Sequence, residues 1–301
     1  MDELIFHDPT GRRARRLRLA SGVLISLAAA LAAAFFATLA FAPHLPSLQL
    51  KDPRALQALH VENAHHRLKG QRPWTRAPKP ASAAHATVGR PLSVGFYVSW
   101  DESSLASLAE HVDELDVVSP QWVALTGEGG AVSVTADPHA LGILAAAKRT
   151  PAVMPTVYNA RESVWNGPQA DRMLANPAAR RNLIASLVEL AHARGYAGYV
   201  FDLEDLSAAG AAAYPGFIAQ ARAALAPAGR EVWVTAPFAD DSWPLAKLQA
   251  AADALVLMAY DQHWGTGDAG PPAGQDWFQA KLASRMAMLD PARTVLALGD
   301  Y

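Results

Sequence analysis

Two acidic residues separated by one position close a hydrophobic stretch near the middle of the chain. Tyr196–Leu206 begins with aromatic and β-branched residues and ends with Asp202, Glu204 and Asp205. Because side chains alternate along a β-strand, Asp202 and Glu204 are expected on one side, about 6–7 Å apart along the chain. Two carboxylates at the end of a buried strand are costly to desolvate unless they are partnered or used in catalysis. The alternative interpretation is a solvated loop whose acids cap the next helix.

Hydrophobic runs alternate with helical segments along the chain around this stretch. The predicted strands are Leu92–Ser99, Leu115–Leu125, Ala152–Tyr158, Tyr196–Leu203, Glu231–Ala236, Ala254–Tyr260 and Thr294–Leu298. The predicted helices are Leu105–Val112, Pro138–Lys148, Ala178–Arg194, Tyr214–Leu225, Pro244–Ala251 and Asp276–Met288. Strands that are almost continuously hydrophobic suit parallel pairing with both faces buried. The alternation therefore predicts an α/β fold.

A (β/α)8 barrel and an open doubly wound sheet both fit this alternation. A doubly wound sheet predicts a glycine-rich phosphate turn after an early strand, but Trp100-Asp101-Glu102 follows the first one. Polar and aromatic residues instead follow several strands, where barrels carry their active sites. We therefore expect a barrel at 91–301, with the eighth strand beyond Tyr301 and with further domains possible there.

The N-terminal region has a different composition. Five arginines precede an uncharged run, Leu19–Ala42, which is long enough to cross a hydrocarbon layer of about 30 Å. Basic residues on the N-terminal side indicate that this end stays in the cytoplasm. We expect a cytoplasmic tail at 1–18, a transmembrane signal anchor at 19–42 and a Pro/Ala-rich linker at 43–90. A cleavable signal peptide is the alternative interpretation of the apolar run.

Composition excludes several kinds of chemistry. The chain of 301 residues has a formal net charge of −2, so it shows no electrostatic footprint for nucleic acid. It has no cysteine, which excludes disulfides, thiolate metal sites and a cysteine nucleophile. The histidines of the predicted linker have no nearby carboxylate partner and are interpreted as solvated. The sequence therefore predicts neither a metal nor another cofactor.

The stretch after the third predicted helix resembles the signature of glycoside hydrolase family 18, the chitinase-like barrels. The family pattern Asp-Gly-x-Asp-x-Asp-x-Glu falls on Ala197–Glu204, where the glycine and the last two acids match. Ala197 and Val200 replace the first two acids. Met258-Ala259-Tyr260-Asp261 matches the family's Met-x-Tyr-Asp, and Gly95-Phe96-Tyr97 is similar to its first strand. The family's Ser-x-Gly-Gly is replaced by Pro155-Thr156-Val157-Tyr158.

The resemblance implies hydrolysis in which the substrate's own N-acetyl oxygen attacks the anomeric carbon. Glu204 would be the general acid, Asp202 would orient the acetamido group, and the Tyr260 hydroxyl would steady its oxygen. Substrate contacts are expected from Asp261, Trp100, Trp122, Trp264, Tyr158 and Asn159. For the three tryptophans, ordinary packing between strands and helices is the alternative. Some relatives that cleave bacterial cell-wall glycans similarly keep only Asp-x-Glu.

The arrangement of an N-terminal anchor before a diverged barrel resembles the front of large bacterial membrane proteins. Those proteins also carry polysaccharide deacetylase and family 2 glycosyltransferase domains. The resemblance implies a single-pass protein of the bacterial inner membrane with its barrel on the periplasmic side. The expected partner is a polysaccharide that contains N-acetylhexosamine. A non-catalytic barrel that guides an exported polysaccharide to a partner enzyme is the alternative function.

Overall fold

The computed structural model describes residues 91–161, 164–263 and 267–299, together with Ser21. Apart from Ser21, the predicted tail, membrane anchor and linker at 1–18, 19–42 and 43–90 lie outside the described residues, as do Trp264 and Tyr301. None of the helices in the described part of the chain combines the length and the hydrophobicity needed to cross a membrane.

Strands and helices alternate along the chain, as predicted. The strands are β1 (Val94–Tyr97), β2 (Val117–Pro120), β3 (Val123–Leu125), β4 (Val132–Val134), β5 (Ala152–Val153), β6 (Thr156–Tyr158), β7 (Ala160–Arg161), β8 (Val164–Trp165), β9 (Gly198–Asp202), β10 (Glu231–Pro237), β11 (Ala254–Met258) and β12 (Thr294–Ala297). The helices are α1 (Glu102–His111), α2 (Pro138–Ala146), α3 (Gly167–Ala175), α4 (Pro177–Arg194), α5 (Ala208–Leu225), α6 (Leu245–Ala251) and α7 (Gln275–Met286).

The predicted strands pair in parallel, in the order in which they occur along the chain. β1 pairs with β2 and β2 with β5, while β3, β6, β9, β10, β11 and β12 follow one another across a second sheet. Each crossover between neighbouring parallel strands needs a long connection, and helices supply most of these connections. This is the strand order that the barrel prediction requires.

Prolines interrupt two of the predicted strands. Leu115–Leu125 is divided into β2 and β3, and Ala152–Tyr158 into β5 and β6. Pro120 ends β2 and Pro155 lies between β5 and β6, and proline has no backbone N–H to donate across a sheet. The ladder therefore changes partners at these positions, which divides one strand system into two sheets.

Four short elements, three strands and one helix, were not predicted. β4 pairs antiparallel with β3, β7 and β8 form a small antiparallel hairpin, and α3 follows that hairpin directly. Strands of two or three residues are too short to show a hydrophobic period in the sequence. They extend the loops that surround the candidate site.

The boundaries of α4 follow from its terminal residues, as predicted. The Asn176 side chain accepts hydrogen bonds from the backbone N–H groups of Ala178 and Ala179, and Pro177 is the first helical residue. Gly195 ends the helix with φ of 69°, in the left-handed region that favours glycine. The helix therefore ends just before β9 begins.

Side chains along β9 divide between two hydrophobic clusters. Tyr199, Phe201 and Leu203 pack in the larger cluster between the strands and the helices. Val200 belongs to a separate cluster of strand residues that includes Val117, Met154, Trp233 and Val256. Because side chains alternate, Asp202 lies on the Val200 side of β9, and Glu204 lies two residues beyond the end of the strand.

Candidate active site

Asp202 is the last residue of β9, and its carboxylate is held by the neighbouring strand. The Thr235 hydroxyl on β10 lies 2.6 Å from Asp202 Oδ1 and donates a hydrogen bond to it. Burial raises the pKa of Asp202 to about 6, although this hydrogen bond stabilises the charged form and opposes the increase. Asp202 therefore remains mostly ionised at neutral pH.

Glu204 follows the end of β9 and is fixed through its backbone. Its N–H donates to Asn159 Oδ1 over 2.9 Å, and Asn159 Nδ2 donates to the Glu204 carbonyl oxygen over 2.9 Å. The two bonds use both ends of the Asn159 amide. They fix the direction in which the Glu204 side chain leaves the backbone, while its carboxyl group takes no part in them.

The position of Asn159 corrects one prediction from the sequence. Asn159 was expected to bind substrate, but its side chain is 1% exposed and both of its polar atoms contact the Glu204 backbone. One amide hydrogen and one oxygen lone pair remain beyond these two bonds, but at 1% exposure a substrate does not reach them. Asn159 therefore positions Glu204.

The electrostatic environment separates the pKa values of the two acids. Burial raises the pKa of Glu204 to about 8, and the negative charges of Asp202, Asp261 and Asp205 add to the increase. Between about pH 6 and pH 8, Glu204 therefore keeps its proton while Asp202 is ionised. A neutral acid beside a carboxylate is the combination that general acid catalysis with charge stabilisation requires.

Two further acids adopt an unusual backbone conformation around this pair. Asp205 has φ of 56° and Asp261 has φ of 60°, and they are the non-glycine residues with positive φ among the described positions. Such conformations cluster at functional sites because the surrounding structure must hold them. At Asp205, a Cβ on Gly167 would lie 1.6 Å from the Asp205 carbonyl oxygen, so only glycine permits this contact with the start of α3.

Tyr260 and Asp261 follow β11, which is separated from β9 by β10 alone. β10 pairs in parallel with both β9 and β11, so the carboxyl ends of these strands lie at the same edge of the sheet. The charge of Asp261 contributes to the raised pKa of Glu204. Tyr260 is half-buried at the same strand end. The structure thus brings together the motifs that the sequence places about sixty residues apart along the chain.

The aromatic residues predicted to bind substrate occupy different environments. Tyr158 on β6 is directly opposite Asp202 in the strand register and is half-buried, and burial raises its pKa. Trp100 is 77% exposed after β1, and its indole N–H donates to Gln121 Oε1 over 3.3 Å. Both remain candidates for sugar contact, whereas Trp264 lies outside the described residues.

Trp122 corrects a second prediction. Its side chain is 1% exposed and packs edge-on against Tyr97, with ring centroids 6.5 Å apart. A sugar needs an open aromatic face for stacking, and Trp122 has none. Its role is packing in the larger hydrophobic cluster, which was the alternative interpretation of its position in the sequence.

Sequence reasoning missed two residues that surround the acid pair. Thr235 lies within a predicted strand, but only the pairing of β9 with β10 places it beside Asp202. Tyr214 lies on α5 and is buried. Burial and the charges of Asp202 and Glu204 raise the pKa of Tyr214 well above its ordinary range, and the backbone N–H of Leu203 opposes this increase. The alternation of side chains along β10 was the available signal for Thr235; the sequence offers no comparable signal for Tyr214.

Metal-ligating side chains do not cluster in the described residues: no group of three or more His, Asp or Glu is arranged to hold an ion there. The pKa values of the acids at the candidate site are set by their protein environment. Thr235 donates a hydrogen bond to Asp202, burial raises the pKa of both Asp202 and Glu204, and the charge of Asp202 raises the pKa of Glu204 further.

Comparison with known proteins connects this geometry with glycan-cleaving proteins. No family model matches the chain. The uncharacterized glycosylase YvbX of Bacillus subtilis is 25% identical over 232 residues, which cover 73% of this chain. The chain spans only 64% of the length of that relative.

Solved structures show the same fold. A chitinase from Chromobacterium violaceum superposes with a TM-score of 0.62 at 24% identity, covering 69% of this chain and 68% of the chitinase. A class V chitinase mutant from Nicotiana tobaccum, solved in complex with NAG4, gives a TM-score of 0.55 at 16% identity, covering 69% and 66% of the two chains. The described domain therefore has the α/β barrel fold of the chitinase-like proteins, which confirms the resemblance predicted from its sequence.

Proposed function

We propose that this protein is a glycosidase that hydrolyses polymers of β-linked N-acetylhexosamine with retention of stereochemistry. The observation that carries the proposal is an acid pair fixed at the end of β9: Asp202 accepts a hydrogen bond from Thr235 over 2.6 Å, and Asn159 holds the Glu204 backbone. Burial raises the pKa of both acids. The names of the similar glycosylase and chitinases support the same reaction class.

The mechanism uses the two acids in different protonation states. Glu204 donates its proton to the glycosidic oxygen as the bond to the anomeric carbon breaks. The acetamido oxygen of the same sugar attacks that carbon, while the Asp202 carboxylate accepts a hydrogen bond from the acetamido N–H. The Glu204 carboxylate then takes a proton from water, which opens the cyclic intermediate and restores the starting enzyme. The Tyr260 hydroxyl steadies the acetamido oxygen during the attack.

The substrate class rests on the need for an acetamido group and on the comparisons. A chitinase of the same fold was solved with NAG4, an N-acetylglucosamine oligomer. Trp100 follows the end of β1 and offers an exposed ring on which a sugar can stack. Tyr158 at the end of β6 and Asp261 after β11 likewise lie at the carboxyl ends of their strands. Chitin-like chains, peptidoglycan and poly-N-acetylglucosamine are the candidate polymers.

Location at the bacterial inner membrane is part of the proposal. The uncharged run Leu19–Ala42 behind five arginines supports a single-pass anchor with a cytoplasmic N-terminus, with the barrel on the other side. A reporter fused after Tyr301 tests this topology: alkaline phosphatase should be active there and green fluorescent protein dark. The opposite pattern would exclude a periplasmic barrel.

A binding protein without activity is the second candidate function. Val200 stands where the family signature has an acid, and it is buried in an apolar cluster with Met154, Trp233 and Val256. Asp202 therefore has no acidic neighbour two residues earlier on its strand with which to share a proton. This observation favours a domain that binds a glycan without cleaving it.

One experiment separates the two functions. The full chain, its Glu204→Gln variant and the exposed-site control Glu110→Gln are incubated with N-acetylglucosamine hexamer at pH 7, and products are followed by mass spectrometry. We expect cleavage by the wild type and the control, and binding without cleavage by Glu204→Gln. Equal turnover by all three proteins would refute the assignment of Glu204. Binding without cleavage by the wild type would instead establish the binding function.

A further inference from the structure

Thr235 is the residue whose hydrogen bond stabilises the Asp202 carboxylate. The register that pairs Val234 with Phe201 places Thr235 directly beside Asp202 on the neighbouring strand. Its hydroxyl lies 2.6 Å from Asp202 Oδ1 and 3.3 Å from the Phe201 carbonyl oxygen. The side chain is 6% exposed, so bulk water does not compete for this hydroxyl.

The residues below Asp202 on the same face offer it no polar support. Val200, two positions earlier, belongs to the apolar cluster of strand residues, together with Val117 and Met154. Thr156, which pairs with Val200 in the strand register, is hydrogen-bonded to the Ser119 hydroxyl at 2.8 Å. A carboxylate above an apolar layer is costly to ionise without a donor, and Thr235 supplies one.

Several other titratable groups surround Asp202. Glu204 and Asp205 lie on the same segment, and the other elements contribute Tyr158 from β6, Tyr214 from α5, and Tyr260 and Asp261 from the end of β11. Burial opposes a charge on Asp202. The Thr235 hydroxyl acts in the opposite direction.

We propose that Thr235 is a positioning residue that keeps Asp202 ionised and oriented toward the acetamido group of the substrate, in place of the acid that Val200 replaces. The single hydroxyl proton has two acceptors within reach, Asp202 Oδ1 and the Phe201 carbonyl oxygen. The hydroxyl can therefore follow a small rotation of the carboxylate as the substrate N–H engages it. The catalytic consequence rests on the proposed function, whereas the effect on Asp202 does not.

The test measures the Asp202 titration in the substrate-free full chain by carbon-13 NMR of its carboxyl group. Thr235→Val removes the hydroxyl at constant shape, Thr235→Ser keeps it, and Thr156→Val removes another buried hydroxyl of the same layer. We expect Thr235→Val to raise the pKa of Asp202 by about one unit, as loss of a hydrogen bond to a charged group implies. The other two variants should stay close to the wild type.

Hydrolysis supplies the second measurement. In Thr235→Val, the acidic limb of the kcat/KM profile should move to higher pH by about one unit, as the Asp202 titration does. In Thr235→Ser, the acidic limb should lie close to its wild-type position. If Thr235→Val does not fold, Thr235→Ala provides a smaller variant without the hydroxyl. An unchanged Asp202 titration in the hydroxyl-free variant, or an equal change in Thr156→Val, would overturn the proposal. A shifted titration in a protein without hydrolytic activity would refute the proposed function while leaving the role of Thr235 intact.

Discussion

Replacing Glu204 with Gln should stabilise the protein at alkaline pH and leave its stability unchanged at acidic pH. Burial and three neighbouring acids raise the pKa of Glu204 from 4.5 to about 8 in the folded chain. Below about pH 4.5 the carboxyl is neutral in both folded and unfolded chains. As pH rises toward 8, the unfolded chain ionises while the folded one resists, so the wild type progressively loses stability.

The magnitude follows from the same pKa difference. A change of this size corresponds to at most about 5 kcal/mol of unfolding free energy above pH 8. Glu204 is only partly buried, so solvent screening and adjustment of the neighbouring acids should reduce the effect to about 2 kcal/mol. For a domain of this size, that corresponds to a Tm increase of about 4–8 °C. The Asn159 contacts use only the Glu204 backbone and should survive the substitution.

Differential scanning calorimetry at pH 4, 6, 8 and 9 would measure this effect. The Tm difference between Glu204→Gln and the wild type should be near zero at pH 4 and should reach its plateau above pH 8. Glu110→Gln removes an exposed carboxylate of α1 and should give a difference that does not change across the same range. An equal Tm difference at pH 4 and pH 9, or destabilisation at pH 9, would refute the assigned environment of Glu204.

Three further predictions address the site. Hydrolysis should show a bell-shaped pH profile with limbs near pH 6 and pH 8, because the reaction needs Asp202 ionised and Glu204 protonated. A rate that increases steadily to pH 10 would contradict this assignment. Asn159→Ala should lower Tm and reduce kcat by about tenfold or more, because it leaves the backbone N–H and carbonyl oxygen of Glu204 unpaired. An unchanged kcat would show that the Asn159 amide does not position Glu204. Trp100→Ala should raise KM for a hexamer about tenfold at nearly constant kcat and stability, since the ring is exposed, whereas loss of stability would indicate packing.

Local chemistry along the chain was sufficient to predict the order of the main strands and helices, but not β4, β7, β8 and α3. The start of α4 at Asn176-Pro177 and its end at Gly195 depend on backbone preferences that hold in any fold. The side of β9 on which Asp202 lies follows from the alternation of a strand, which also needs no knowledge of neighbours. The breaks at Pro120 and Pro155 could have been read in the same way, since proline has no backbone N–H to donate across a sheet.

Tertiary structure decided which side chains are available to a substrate and which are already engaged. Trp122 and Asn159 lie within or just after predicted strands, as Tyr158 and Trp100 do. However, Trp122 is packed against Tyr97, and the Asn159 amide is bound to the Glu204 backbone. The same limit applies to Thr235, which lies more than thirty residues from Asp202 and reaches it only through the pairing of β9 with β10. Sequence spacing determines the face of a strand on which a residue lies, whereas its exposure and pKa depend on packing from distant parts of the chain.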